Sequence, residues 1–529
     1  MRFGFVRKGL SAVFIAAFMC ATTPAQAIDF KIGGFWTMAF GLADTGLTKE
    51  RDGNHVNNGD QFTARHRLTL ALRAVASENL EGMVAFKISP QVWGQSASGG
   101  ALGADGEVVK IAQAYLLWGV PQTDLSFKMG LQFVTLPSAA GGTAIHDNRV
   151  AAAVANYRIS ENISLTGMWM RLLNDNYAGG DYRADMEGYT AGIRSHDQAN
   201  YLDNMDFFYL SLPMKFDGFK LEPWMMYGIQ GRNAGYFDTY ADNWFADGAP
   251  AVSTTPFLGK LEAGNHGMNI HNLNPTSKQY GSMFWLGLPL TVSAWDPLNI
   301  EFDFNYGFVE SMGRYDVWVR NNPDDVRRGS MQRQGWLAKA LIEYKMDWGT
   351  PGIFGWYASG DDGNVKNGSE RLPSLCAYGN FTSFMGYGQG LSWESNWFLR
   401  AKTLSYAGTW GIGAQVKDVS FIDNLKHTLR VAYWGGTNSP SMVKYMDHAS
   451  AWESTTNRYD SLYLTTNDGL LEFNFLTNWQ IYENLECVAE LGYIANYIDG
   501  DTWQKDYPGF GSYQKQDAWK ASVYFQYTF

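Results

Sequence analysis

The sequence predicts an all-β protein: a closed transmembrane antiparallel barrel of about 18 strands, with short turns at one end and long loops at the other. Three observations predict it. Long segments alternate apolar and polar residues with period two, the spacing at which successive side chains point to opposite faces of a strand. Short acid–Asn turns alternate with long polar excursions. The chain closes on an alternating aromatic strand, "WKASVYFQYTF".

The first 27 residues stand apart. Arg2, Arg7 and Lys8 precede an apolar run from Leu10 to Met19, and Ala25-Gln26-Ala27 supplies small residues for cleavage. That is the pattern of a secretory signal peptide, too short for a membrane span. It leaves one domain, 28–529, from Ile28 onward. Cys20 follows the bulky Met19, which argues against lipidation. No later stretch has the ~18 uninterrupted apolar residues of a transmembrane helix. Hydrophobic residues make up 46% of the chain, yet mean hydropathy is only −0.25, so the apolar residues are interleaved with polar ones. Its 57 Gly and 81 aromatic residues (32 Phe, 29 Tyr and 20 Trp) against 16 Pro suit many strands and tight turns.

The strands follow in order. At the start, Ile28, Phe30, Ile32, Trp36, Met38 and Phe40 share one face, with Asp29, Lys31 and Thr37 on the other. In "TARHRLTLALRAVA", Leu68, Leu70 and Leu72 alternate with Arg67, Thr69 and Arg73, with Arg65 in the same phase as Arg67. "NIEFDFNYGF" sets Ile300, Phe302 and Phe304 against Glu301, Asp303 and Asn305, and "GWLAKALIEYKMDW" sets Trp336, Ile342 and Tyr344 against Lys339 and Glu343. These runs reach ten residues or so, the length a tilted strand needs to cross a bilayer. Turns recur at Ser77–Leu80, Ser160–Ile163, Ile422–Leu425 and Tyr482–Leu485, with equivalents at Pro121–Asp124, Phe216–Phe219, Asp296–Asn299 and Asp347–Pro351. Eight turns plus two chain ends at the same rim give about 18 strands; one misread turn gives 16. The long excursions are 231–280, 310–334, 359–398 and 435–467.

The phase of each strand is forced. Arginine facing lipid costs about 2–4 kcal/mol near the midplane, so Arg65, Arg67 and Arg73 face the interior. Lys87 and Lys128 join them as a basic wall. Glu301, Asp303, Glu472, Glu486 and Glu490 take the same phase on other staves. A barrel of this size encloses water, and walls of opposite sign would sort solutes by charge; charges paired within the wall would only stabilise it. The stretch 130–154, "GLQFVTLPSAAGGTAIHDNRVAAAV", follows the fifth strand and is rich in small residues. It reads as a loop near 136–150 folded into the barrel, with His146, Asp147 and Arg149 at a constriction, or otherwise as an external, solvated loop.

The start "AQAIDFKIGGFWTMAFG", the stretch "FKMGLQFVTLP" and the close "SVYFQYTF" resemble the outer-membrane homotrimeric porin family of sulfate-reducing bacteria, and in general pattern the 16- and 18-stranded porins. The resemblance implies a homotrimer in the outer membrane of a Gram-negative cell, among lipopolysaccharide, with one pore per subunit for small hydrophilic solutes. It also makes Phe525, Tyr527 and Phe529 the C-terminal signal read by the barrel-assembly machinery.

Other functions find little support. A net charge of −11 and a pI near 5.3 disfavour nucleic acid. There is no G-x-S-x-G elbow, no H-E-x-x-H and no P-loop, so no enzyme is expected. His266 and His271 lack further ligands, and Asp447-His448 lacks a nucleophile. "SGDDGN", 359–364, matches no twelve-residue Ca²⁺ loop, and no metal or cofactor is expected. Two mature cysteines, Cys376 and Cys487, form no disulfide framework. A substrate-selective channel for sugars or anions is the nearest rival to an unselective porin, and a barrel enzyme or adhesin is a more distant one.

Overall fold

The computed structural model describes residues 28–529 apart from 45–46, 51–60, 97–98, 104–108, 175–203, 232–269, 276–277, 320–321, 378, 386–404, 447–462 and 505–512. The stretch expected to be a signal peptide, 1–27, lies outside the described residues, as do His266, Asp447 and His448.

Eighteen antiparallel strands close on themselves. They are β1 Asp29–Asp44, β2 Gln61–Ser77, β3 Leu80–Val92, β4 Val109–Gly119, β5 Leu125–Thr135, β6 Asp147–Arg158 and β7 Ser164–Asn174. Next come β8, in two pieces, Asn204–Ser211 and Met214–Phe216, and β9, Phe219–Leu221 and Trp224–Gly231. The rest are β10 Tyr280–Trp295, β11 Leu298–Val309, β12 Arg333–Tyr344, β13 Thr350–Ala358, β14 Thr409–Ile422, β15 Leu425–Gly436, β16 Gly469–Tyr482, β17 Leu485–Asn496 and β18 Ala518–Thr528. Each pairs with its neighbours in sequence, and β18 pairs with β1 from Phe35↔Thr528 to Asp44↔Trp519, so no edge is left. Pro213 and Pro223 break β8 and β9 at the same level, since a proline cannot donate to the ladder.

The eight short connections are those expected from the sequence. In the turns after β2 and β6 the leading serine does the local bonding: Ser77 Oγ accepts from Asn79 N at 3.2 Å and Ser160 Oγ from Asn162 N at 3.3 Å. Asn424 takes a left-handed φ of 65°, and Gly218, at φ 65°, has no room for a Cβ, which would lie 2.5 Å from Ala294 Cα.

The outside is apolar as forced. Phe30 and Ile32 on β1 are more than 60% exposed, and Phe208, Leu210, Ile353 and Ile412 are exposed on the same outward phase. Phe525 and Tyr527 join this face opposite Met38 and Trp36. Phe529 completes the seam: its N donates to Gly34 O at 3.0 Å, its O accepts from Gly34 N at 2.9 Å, and its ring stacks on Tyr527. A Cβ on Gly34 would sit 2.3 Å from Thr69 O and 3.1 Å from the Phe529 ring. Gly34→Val is therefore expected to cut the yield of closed barrel, read as the fraction that migrates fast on SDS gels before heating.

The inside departs from a simple polar lining. On β7 to β15 the inward phase carries Met170, Phe207, Trp285, Leu337, Trp356 and Trp434, each under 5% exposed. Loop segments folded into the barrel cover them and build a core there. Burying such side chains stabilises by about 1.5–3 kcal/mol each, which gives the loops a fixed seat.

Candidate functional site

Two loops enter the lumen. The first, residues 136–146, joins β5 to β6 and is closed at its neck by Leu136 N donating to His146 O at 3.0 Å. Gly141 and Gly142 take positive φ, letting the chain turn within this short span. The loop crosses to β11 and β12. There Asp303 accepts from Ala139 N at 2.9 Å, Ala140 N at 2.7 Å and Ser138 Oγ at 2.8 Å. Lys339 Nζ lies 3.4 Å from the same carboxylate and donates to Ala140 O at 2.6 Å and to Gly142 O. Both side chains are wholly buried. A charge taken out of water is tolerated only when paired and hydrogen-bonded, and here the loop's own backbone completes the pair.

The second is the stretch 371–385 of the β13–β14 connection. Arg333 on β12 donates to Arg371 O at 2.9 Å, and Trp285 Nε1 to Pro373 O at 3.0 Å. Leu375 and Cys376 N donate to Ile145 O, and Cys376 O accepts from Asp147 N at 2.8 Å, so the two loops lock together. The stretch then reaches β16 and β18. Glu472 accepts from Phe384 N at 3.1 Å and Trp434 Nε1 at 3.1 Å, and Asn474 Oδ1 accepts from Ser383 N. Lys520 on β18 donates to Ser383 O at 2.8 Å while lying 3.4 Å from Glu490.

The expected site residues fall into three sets. Asp303, Glu472 and Glu490 do take the inward phase, but at 0–1% exposure they do not meet water: Asp303 and Glu472 anchor loops, and Glu490 lies beside Lys520. Glu301 is held by Asn299 Nδ2 at 3.1 Å, and Glu486 accepts from Tyr524 and Gln526 near the turn end. Asp147 and Arg149 are corrections: they belong to β6, not to the loop, and take its outward phase, paired with Thr135 and Phe133 of β5. The small-residue run ends at Ile145, and counting period two from the outward Tyr157 back to Asp147 would have placed both on the outside. His146 remains in the loop, 3% exposed.

The basic wall has its expected inward phase on β2 to β5. Arg67 and Lys87 stay partly exposed, and Lys128 Nζ sits 4.2 Å over the Tyr115 ring. Lys87 pairs directly with Lys110, a cation the sequence reading missed, because a bulge at Ala85/Phe86 shifts the register of β4. Arg65 is 0% exposed and so does not line open water. Arg73 lies near the turn end in a bidentate pair with Glu81, 2.6 Å on each side. The inward phase of β2 to β5 is thus basic and partly open, whereas the inward phases of β7 to β16 are largely covered. Beneath the first loop, toward the turns, a vestibule of about 780 Å³ opens between Ser138, Asn156, Arg158, Lys220, Glu222 and Thr291.

In the "SGDDGN" connection, the Asp361 oxygens accept from Tyr463 at 2.8 Å and Ser369 at 2.6 Å, and those of Asp362 from Asn364 N and Asn367. Cys376 and Cys487 do not pair with each other.

Burial pushes the His146 imidazole down to about 4. Released into water it would titrate near 6.5, so the released loop binds more protons between those values. The docked loop accordingly loses up to about 3 kcal/mol as pH falls from 6.5 toward 4. Conductance is expected to grow noisier and larger over that window, and His146→Phe to flatten the response.

No family model matches the chain, and no curated protein matches it. Solved structures similar to it include OccAB3 of Acinetobacter baumannii (11% identity, 95% of this chain and 99% of that one, TM-score 0.49). A BenF-like porin from Pseudomonas fluorescens is similar at 7% identity, 94% and 98% coverage and TM-score 0.48. The outer membrane channel DcaP of Acinetobacter baumannii is similar at 10% identity, 95% and 97% coverage and TM-score 0.38.

Proposed function

We propose that the chain is an outer-membrane channel for passive diffusion of small hydrophilic solutes, with its turns in the periplasm and its loops outside. The observation that carries the reading is the lumen itself. Among the described residues, two loops pinned to β11–β12 and to β16–β18 fill one side of a closed barrel, and inward residues of β2 to β5 stay partly exposed. The assembly is a homotrimer, as the sequence resemblance implies, inserted by the barrel-assembly machinery.

A second reading, selectivity for anionic solutes, is favoured by the Lys87↔Lys110 pair. Together with Arg67 they put several positive charges on the inward phase of β2 to β4, which would draw a negative solute. Purified protein in a planar bilayer is expected to give discrete conductance steps and a reversal potential favouring Cl⁻ across a KCl gradient. A correctly closed barrel without conductance would remove the channel reading. Conductance without anion preference would leave the unselective porin.

A further inference from the structure

We infer that the vestibule beneath the first inward loop is a binding site for a small oxyanion that still carries a proton, such as hydrogenphosphate. The inference rests on the channel reading above for the route by which the ion arrives, and it names one solute class for the turn side of the barrel.

The vestibule, about 780 Å³, is roofed by Ser138 and Ala139 of the loop and walled by the turn-end parts of β8, β9 and β10. Lys215 of β8 pairs directly with Lys220 of β9, and Lys220 pairs with Thr291 of β10, all on the inward phase. Both lysines line the vestibule, and among the described residues neither has an ion pair or a side-chain hydrogen bond. The third lining cation, Arg158, is already held by Asp124, its Nε donating at 3.0 Å.

One carboxylate shares the space. Glu222 follows Lys220 by two residues on the same phase and lines the same vestibule. Its Oε1 accepts from Ser211 Oγ at 3.3 Å, and among the described residues Oε2 has no partner. It forms no ion pair with either lysine, so the cations and the acid present themselves separately.

The backbone that carries these groups is fixed. Where Pro213 and Pro223 break β8 and β9, Leu212 N donates to Pro223 O at 3.0 Å and Glu222 N to Pro289 O at 3.2 Å. Lys215 N donates to Asn162 O at 2.8 Å. A preorganised frame loses less freedom on binding, and water fills the space an ion leaves.

The combination decides the ligand. Two unneutralised ammonium groups attract any small anion, and lysine serves phosphate as a point charge. The carboxylate discriminates among anions. It accepts a hydrogen bond from an oxyanion that keeps an acidic proton, and it repels one that has none. Hydrogenphosphate keeps its proton at neutral pH, whereas sulfate has lost both. The Ser164 and Thr291 hydroxyls on the wall can serve either ion, so the preference rests on Glu222.

Equilibrium dialysis of the full chain in detergent at neutral pH, against inorganic phosphate and sulfate, tests the site without requiring conductance. Wild type is expected to hold phosphate about tenfold more tightly than sulfate, the worth of one charge-assisted hydrogen bond. Lys215→Gln with Lys220→Gln is expected to weaken both ions by about tenfold. Glu222→Gln is expected to bring sulfate level with phosphate. Both lysines are exposed at the turn end, so the barrel should close, checked by fast migration on SDS gels before heating. Phosphate on the turn side of a planar bilayer is expected to cut the KCl current saturably, and sulfate only at higher concentration. Equal affinity for the two ions in wild type overturns the proposal. So does unchanged phosphate affinity in the double lysine variant, or an unchanged preference in Glu222→Gln. A conducting barrel that binds no phosphate defeats the site alone, and a silent barrel that binds it defeats the channel alone.

Discussion

Asp303→Ala is expected to raise single-channel conductance several-fold and to make it noisy. The carboxylate gathers two backbone amides and the Ser138 hydroxyl of the first inward loop. Its removal also leaves Lys339 buried without its partner. Breaking such a buried pair from one side costs about 3–5 kcal/mol, enough to outweigh the loop's few remaining attachments at its tip. The barrel should persist, since its closure rests on the strand ladders rather than on this loop. Asp303→Ala with Lys339→Met separates the two causes. If the freed loop opens the path, the double variant stays highly conducting while regaining stability; if conductance stays at the wild-type level in both, the loop does not narrow the path.

Arg67→Glu with Lys87→Glu is expected to move the reversal potential across a KCl gradient from anion-favouring to cation-favouring. Both residues take the inward phase and are partly exposed, and Lys87 faces Lys110 across the β3–β4 pair. In a confined opening with low-dielectric walls, fixed charges act over the whole passage. Two reversals change the wall by four units of charge. Arg65 is the wrong target despite its phase, because it is fully buried and its reversal would damage the wall rather than recolour it. A wild-type reversal potential in the double variant would show that β2 and β3 lie off the solute path.

Much of the barrel was legible because a membrane strand is over-determined by its surroundings. Leu68, Leu70 and Leu72 fix the phase of β2, and every neighbour inherits its phase through the ladder. The acid–Asn turns mark one rim, and the final Phe529 marks the seam. The fate of inward residues was less legible. Asp303 meets residues more than 160 positions away, and Glu472 meets Phe384 at 88 positions. No local pattern encodes such a meeting. A signal for the filled side was nevertheless present. "WMMYGIQG" and "NMDFFYLS" carry apolar residues on both phases, the mark of a strand buried on both faces.

The sequence by itself narrowed the strand count to 16 or 18 and determined the outward face of each strand and which end carries the turns. These follow from period-two patterning against lipid and from local turn chemistry, both read within a dozen residues. Only the tertiary structure decided that Asp303 and Glu472 hold loops and Glu490 is buried beside Lys520 instead of lining water, and that Asp147 and Arg149 face outward. Whether an inward charge meets solvent or a folded-in backbone depends on which distant segment occupies the lumen opposite it, and that is a property of the closed barrel rather than of any one strand.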